Sequence, residues 1–397
     1  MAQKQQTDAL WDWKSNRVRN LVQRGYAVLV SAQLIKPLAL AWGTRCALYT
    51  LTILFIGLFP GEAYTKPDFW QALSQWDGEW YLKIATEGYQ WNGPTVQSAV
   101  VFWPLYPALG KITGMVVGNL HWGFLVVTTL SFFFFLYFLY RLTLLDFSEQ
   151  IAERAIIYAA VFPGAFVLGA FYSEATAFAL AVAAFYYARR GRWGWAVALG
   201  FFASLTRLPG VAILFPIAYE YWRQKGIRWQ ALALGIIPLG TLAFAVYIWQ
   251  LTGSPWTIFT AEETAWFRGS VPPWEQVYVA LDRALWPRTH YIVAVNLLDA
   301  GSILLSIGMT IWVLAKMPAT YWLYSVPVLI GALSITMDPS KAPPTASVTR
   351  FLMAIFPTYI ALAQIARHAL IDQSIRWTFA ILMGVFAIYF FSHAWVL

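Results

Sequence analysis

From Leu125 to Tyr140 the chain reads LVVTTLSFFFFLYFLY, without one charged side chain. Residues 38–59, LALAWGTRCALYTLTILFIGLF, form a second such run with a single arginine inside it. A helix needs about 20 apolar residues to cross a bilayer, and runs of this kind recur along the whole sequence. Only 12% of residues are charged and 59% are hydrophobic, whereas a soluble domain is about one quarter charged. The runs do not alternate, which excludes a transmembrane barrel. The expectation is an all-α polytopic membrane protein with about 11 spans, near 43–60, 116–140, 155–171, 174–188, 194–206, 208–222, 229–251, 291–314, 319–337, 351–367 and 376–395. Several are short enough to dip as buried pairs rather than cross. Eleven spans put the two termini on opposite sides.

The net charge of +8 suggests nucleic acid until its distribution is read. With a cytoplasmic N-terminus, the inner segments collect 17 of the 27 lysines and arginines and the outer ones nine, with Arg45 near the start of the first span. That is the bias of the positive-inside rule, so membrane topology accounts for the basic balance and no nucleic-acid partner is expected. Residues 1–42 read as a basic cytoplasmic segment, with an interfacial helix as one form. They carry Lys4, Lys14, Arg17, Arg19, Arg24 and Lys36 before any clean apolar core, unlike a secretory signal. Residues 43–397 read as one transmembrane domain. Its two long outer loops, 61–115 and 252–290, are rich in Trp, Pro and Gly, as suits short helices lying at the membrane surface.

The polar residues of these loops are the candidates for chemistry. QWDGEWYLKIATEGY (75–89) holds Asp77, Glu79 and Glu87. A helix over 76–87 puts Trp76 and Trp80 on one stripe and pairs Glu79 with Lys83. Asp77 then sits at the lipid–water boundary, as a solvated acid beside an anchoring tryptophan or as a functional group. In VFWPLYPAL (101–109), Pro104 and Pro107 break regular helix, while Trp103 and Tyr106 offer flat faces for a sugar or a lipid. In FPGAFVLGAFYSEATAFAL (162–180), Glu174 follows Tyr172 and Ser173. It is either an intramembrane functional acid or the first-turn acid of a helix capped by Ser173. Arg207 in ASLTRLPGVAI and Arg350 at the mouth of a span fit either phosphate binding or snorkelling to headgroups.

Charge-derived topology puts Asp77, Glu174, Arg207 and Arg350 on one membrane face, although they come from distant stretches. A carboxylate with guanidiniums suits glycosyl transfer from a lipid-linked sugar phosphate. The acceptor hydroxyl loses its proton to a base, and the leaving phosphate needs only cations. Glycosidases, by contrast, mostly need two carboxylates. No GxGxxG, P-loop, HExxH or GxSxG pattern occurs, and the four histidines are too scattered to suggest a metal cluster. No cofactor is expected to be required. A divalent ion is compatible, with Glu174, Glu262 and Glu263 as possible oxygen ligands.

Six stretches, in order, resemble the PIG-V family of GT-C-type mannosyltransferases. They are WDGEWYLKIATEGY, VFWPLYPAL, FPGAFVLGAFYSEATAFAL, SLTRLPG, GSPWTIFTAEETAWFRG and TRFLMAIFP, spread over 76–357. The sequence departs from the family pattern at Trp80, at Ser254 and at the Arg207-Leu208-Pro209-Gly210 turn. Eukaryotic members add the second mannose of the GPI anchor, using dolichyl phosphate mannose. The resemblance implies a GT-C fold with extracytoplasmic juxtamembrane helices and an active site on the non-cytoplasmic face. It also implies inverting transfer from a polyprenyl-phosphate sugar to a hydroxyl of a glycan or glycolipid. Asp77 would be the general base, and Arg207 and Arg350 the donor-phosphate ligands. Glu174, Trp76, Trp103, Tyr106, Tyr172, Trp266 and Arg268 would contact substrate. The membrane would be the plasma membrane in a prokaryote and the endoplasmic reticulum in a eukaryote. The alternative from another class is a transporter or flippase of a lipid-linked or amphiphilic solute. It is disfavoured by polar groups that gather at helix ends, not at the midplane.

Overall fold

A computed structural model describes residues 32–58, 68–286 and 293–392. The basic segment up to residue 31, the start of the first outer loop, the end of the second with His290, and the last five residues with His393 lie outside the described residues. The described chain is almost wholly helical. α1 (Ala32–Leu58) leads into two short helices, α2 (Phe69–Ser74) and α3 (Asp77–Glu87). Then come α4 (Leu105–Val117), α5 (Leu120–Thr143), α6 (Glu149–Val161), α7 (Glu174–Arg189), α8 (Trp193–Ser204), α9 (Leu214–Lys225) and α10 (Ile236–Thr252). The second loop forms α11 (Thr257–Thr264), strand β1 (Arg268–Ser270) and α12 (Pro273–Leu285). The chain closes with α13 (Val293–Lys316), α14 (Ala319–Leu333), β2 (Ile335–Met337), α15 (Val348–Leu352), α16 (Pro357–Ile365) and α17 (Ala369–Phe391).

Among the described residues, five helices are long and apolar enough to cross a membrane: Gln33–Leu58, Leu120–Thr143, Trp229–Thr252, Val293–Lys316 and Ala369–Phe391. Several of the eleven expected spans are therefore shorter pieces. The segment 155–171 breaks after Val161 into a 3-10 turn over Ala165–Gly169. The segment 351–367 is divided between α15 and α16, where Pro357 cannot continue a preceding helix. Large apolar side chains such as Leu130, Leu242, Leu304 and Ile381 remain exposed on the long helices. A helix apolar on its outer face as well as its inner one belongs in lipid, and the chain is a multi-pass membrane protein.

The first helix starts at Ala32 and not at 43, so it runs across the expected boundary. Lys36 does not end the apolar segment because Glu149, 2.7 Å away, and Glu153 both pair with it. Arg45 consequently lies in mid-helix, not near the start. It is buried, with its guanidinium 4.0 Å from the Phe132 ring centre.

α5 is the central post, packed against α1, α4, α6 and α7. Its crossing with α4 depends on small residues. A Cβ placed on Gly123 would lie 2.3 Å from Gly114 N and 2.6 Å from Gly110 O. These are backbone atoms that cannot swing away. Gly123→Ala should push the helices apart and destabilise the protein by about 1–3 kcal/mol, read as a lowered Tm in detergent.

The prolines of VFWPLYPAL do not stop a helix; they begin one. Pro104 is the N-cap of α4, and Pro107 sits in its first turn, where the backbone N–H has no helical partner anyway. Among the described residues there is one strand pair, β1 with β2, antiparallel with Arg268 opposite Met337. It ties the second outer loop to the segment leading to α15. Periodicity gave no sign of these three-residue strands.

The ends of α17 separate two polar regions. Near its start, Asp372 accepts hydrogen bonds from Arg154 at 3.2 Å, Tyr158 at 2.7 Å and Arg376 at 2.8 Å. Near its finish, Gln75 donates to the Phe391 carbonyl at 3.1 Å. Asp77, two residues beyond Gln75, belongs to the second region.

Candidate functional site

α3 begins abruptly. Asp68 caps α2 in a reciprocal capping box with Gln71. The chain then extends at Gln75 and turns at Trp76, which has φ 58° and ψ −114°. A positive φ is uncommon and strained for an aromatic residue. It points Asp77, the first residue of α3, into the protein. Asp77 is 7% exposed, while Glu79, Lys83 and Glu87 on the same helix face out. The helix is not pressed into headgroups by its tryptophans as the sequence suggests. Trp80 instead stacks inward on Phe102 and meets Trp266 edge-on at 5.3 Å, and Lys83 lies 5.4 Å over the Trp80 ring.

Arg350 Nη1 donates to Asp77 Oδ2 at 2.6 Å, from α15. The same guanidinium brings Nε within 3.3 Å of Glu174 Oε1, at the start of α7. Arg207, from the turn between α8 and the 3-10 segment Leu208–Ile213, donates to that same Glu174 oxygen. The four residues expected on one face therefore form one continuous chain, Asp77–Arg350–Glu174–Arg207. Neither arginine snorkels outward: Arg350 is buried, and Arg207 turns in to the acid. Ser173 does not cap α7. Its hydroxyl oxygen accepts from Tyr81 Oη at 2.8 Å and from Arg207 at 3.4 Å.

Burial alone would push the Asp77 carboxyl up. Arg350, Arg268 and Arg207 outweigh it and hold the group below the usual carboxylate range. For Arg350 burial works against the charged form, and Asp77 and Glu174 reverse it and raise its affinity for the proton. Glu174 Oε2 and Arg350 Nε are buried and make no hydrogen bond among the described residues, so the cluster retains unused polar capacity.

The remaining predicted residues divide into two groups. Tyr172 lies beneath Arg350, ring centre to guanidinium 5.4 Å, with its hydroxyl on the Gln75 carbonyl at 3.2 Å. Trp76 adjoins Asp77. Arg268 on β1 pairs with Glu262 at 3.1 Å, and Trp266 packs beside Trp80. Trp103 and Tyr106 make no contact with the charged cluster. The start of α4 turns Trp103 onto Phe244 at 4.9 Å. It also buries Tyr106, whose hydroxyl shares a 2.7 Å hydrogen bond with Thr128. Tyr106 supports Tyr81 edge-on at 5.0 Å.

Phe351 is the residue that sequence reasoning missed. Its ring lies 5.4 Å from the Arg350 guanidinium, 5.7 Å from that of Arg207 and 6.0 Å from that of Arg268. An aromatic face stabilises cations gathered around it. Its place directly after Arg350 in the TRFLMAIFP stretch was the available signal. A cavity of about 20 Å³, lined by Glu174, Arg207, Arg350, Phe351, Tyr324 and Phe178, opens off the cluster. That is space for about one water. Ala177 and Ala181 continue its wall along α7. Among the described residues no three His, Cys, Asp or Glu side chains gather as metal ligands. The cluster thus joins two buried carboxylates to two arginines, with Arg268 nearby, beside a small, partly apolar cavity.

The fold has known counterparts. ArnT from Cupriavidus metallidurans, in a crystal structure bound to undecaprenyl phosphate, is similar over 90% of this chain and 76% of its own. The identity is 11% and the TM-score 0.50, a likeness of fold alone. The Archaeoglobus fulgidus oligosaccharyltransferase in its apo form matches 90% of this chain and 56% of its own at 12% identity, with a TM-score of 0.43. No curated protein matches the chain. The all-α membrane architecture is GT-C-like. Residues 44–235, which carry Asp77, Glu174 and Arg207, match the family described as Mannosyltransferase (PIG-V), a match that supports assignment of the chain to that family.

Proposed function

We propose that the protein is an inverting membrane glycosyltransferase, a mannosyltransferase by family, moving a sugar from a polyprenyl-phosphate donor to a hydroxyl of a glycolipid or glycan at the extracytoplasmic face. The observation that carries this reading is the buried Asp77–Arg350 contact at 2.6 Å, continued through Glu174 to Arg207. The acceptor oxygen attacks the anomeric carbon, the bond from that carbon to the phosphate oxygen breaks, and the acceptor proton passes to Asp77. The departing polyprenyl phosphate gains one negative charge as Asp77 loses its own, so the net charge of the cluster is conserved. A protonated Asp77 no longer holds Arg350, which is freed to meet the phosphate.

Donor binding prepares this exchange. The phosphate competes with Asp77 and Glu174 for the guanidiniums, and each cation it draws away lets the Asp77 pKa rise toward that of a working base. Ala177 and Ala181 give the cavity an apolar wall beside the charges, which suits the first units of the donor's chain. The ArnT structure contains a lipid phosphate of this class.

The test is purified protein in nanodiscs with polyprenyl-phosphate mannose and candidate hydroxyl acceptors, with products read by mass spectrometry. A mannosylated acceptor supports the reading. Solute flux across vesicles with no glycoside formed would replace it with the transporter alternative. Because arginines are assigned the phosphate charge, transfer is expected to persist in EDTA. Loss of transfer in EDTA with recovery on adding a divalent ion would contradict that assignment.

A further inference from the structure

We propose that Asp299 is a positioning residue that aims Arg350 by clamping the turn from which it projects. Asp299 lies on α13, buried at 1% exposure. Both of its carboxylate oxygens accept hydroxyl hydrogen bonds, Oδ2 from Thr345 and Oδ1 from Thr349, each at 2.8 Å. Among the described residues no ion pair reaches it. A buried carboxylate held by two hydroxyls and the Thr349 backbone, with no cation, is costly to keep, and what it secures is specific.

The two threonines stand on either side of Ser347, a left-handed residue with φ 70° and ψ 1°. Non-glycine residues hold that conformation only when their surroundings enforce it. The turn continues into α15, which has five residues. A helix of that length does not hold itself together in isolation. Local backbone bonds, Val348 N to Thr345 O at 3.0 Å and Phe351 N to Ser347 O at 3.1 Å, close the turn. The clamp fixes how it is rolled against α13.

Roll decides function because Arg350 directly follows Thr349. Adjacent helical residues point about 100° apart. Holding Thr349 toward α13 therefore directs Arg350 away from it, toward Asp77 on α3 and Glu174 on α7. A carboxylate suits the task because it can accept from both hydroxyls at once. An asparagine accepts well at one oxygen only.

The donor-related part of this inference rests on the proposed function, so the test has two arms. The first is amide hydrogen exchange of the full-length protein in nanodiscs. Asp299→Asn, Thr345→Val and Thr349→Val should each speed exchange over residues 346–352 by about tenfold, as expected for a lost buried hydrogen bond. The second is transfer kinetics. Asp299→Asn and Thr349→Val should raise the donor KM several-fold with a smaller change in kcat, and Asp299→Asn should add nothing to KM in an Arg350→Gln background. Unchanged exchange over 346–352 overturns the clamp. So does a fall in kcat alone at constant KM, the mark of fewer folded molecules, or full additivity with Arg350→Gln. Faster exchange in a protein that transfers no sugar upholds the clamp and removes the glycosyltransferase reading instead. The valine variants keep the β-branched shape of threonine and carry the test if Asp299→Asn does not fold.

Discussion

Asp77→Asn should reduce sugar transfer by about 10²–10⁴-fold, the usual contribution of a general base, in a protein that still folds. Asparagine matches aspartate in size and can still accept a hydrogen bond from Arg350. Glu174, 3.3 Å from the same guanidinium, continues to balance part of its charge. Donor binding should survive or tighten, because the phosphate no longer competes with Asp77 for Arg350. The check is single-turnover transfer together with donor affinity and Tm. Near-normal transfer by this variant would remove Asp77 from the base role.

Arg350→Gln is expected to be the more damaging change. It leaves Glu174 paired only with Arg207 and Asp77 influenced only by the more remote Arg268 and Arg207, and removing one partner of a buried ion pair typically costs about 3–5 kcal/mol. Thermal unfolding should show that loss directly. The pH dependence gives a second signature. In the wild type the Asp77 pKa is lowered. Its contribution to stability is then fully present above the ordinary carboxylate value, about 4, and is lost as pH falls through the lowered folded value. The acid limb of the kcat/KM profile, which reports the unliganded enzyme, should therefore lie below the ordinary carboxylate range, with that of kcat at higher pH because bound donor draws the cations away. Without Arg350 the largest influence left on Asp77 is burial, which acts upward, so in Arg350→Gln the acid limb should move to higher pH. An unmoved limb would mean that another group titrates.

Much of this was legible in the sequence for one physical reason. Charges are so few in an apolar chain that each must be accounted for by topology or by a partner. Asp77, Glu174, Arg207 and Arg350 were assigned to one face from charge distribution, and the fold joins them into a single network. Partner choice and inward or outward rotation were not legible. Trp80 and Tyr106 carry the same aromatic signal as Trp76 and Tyr172, and only three-dimensional packing separates core from site. Ser173 looked like a helix cap because Ser before Glu has the composition of one, yet a tertiary competitor, Tyr81, claims its hydroxyl. Span boundaries failed where a local feature overrode hydropathy, as at Lys36 with its two glutamates and at Pro357. The three-residue strands carry too short a pattern for period-two alternation to register.

The internal pairing of the cluster has a kinetic meaning. With Arg350 and Arg207 both held by carboxylates in the resting cluster, an anionic donor of the proposed kind binds fully only in the fraction of molecules whose guanidiniums have swung clear. Apparent affinity is weakened in proportion to the rarity of that arrangement. Added electrolyte, by loosening these contacts in the more exposed Arg207 and Arg268, would hasten entry before it weakens the grip on the anion, and the rate should pass through a maximum as ionic strength rises.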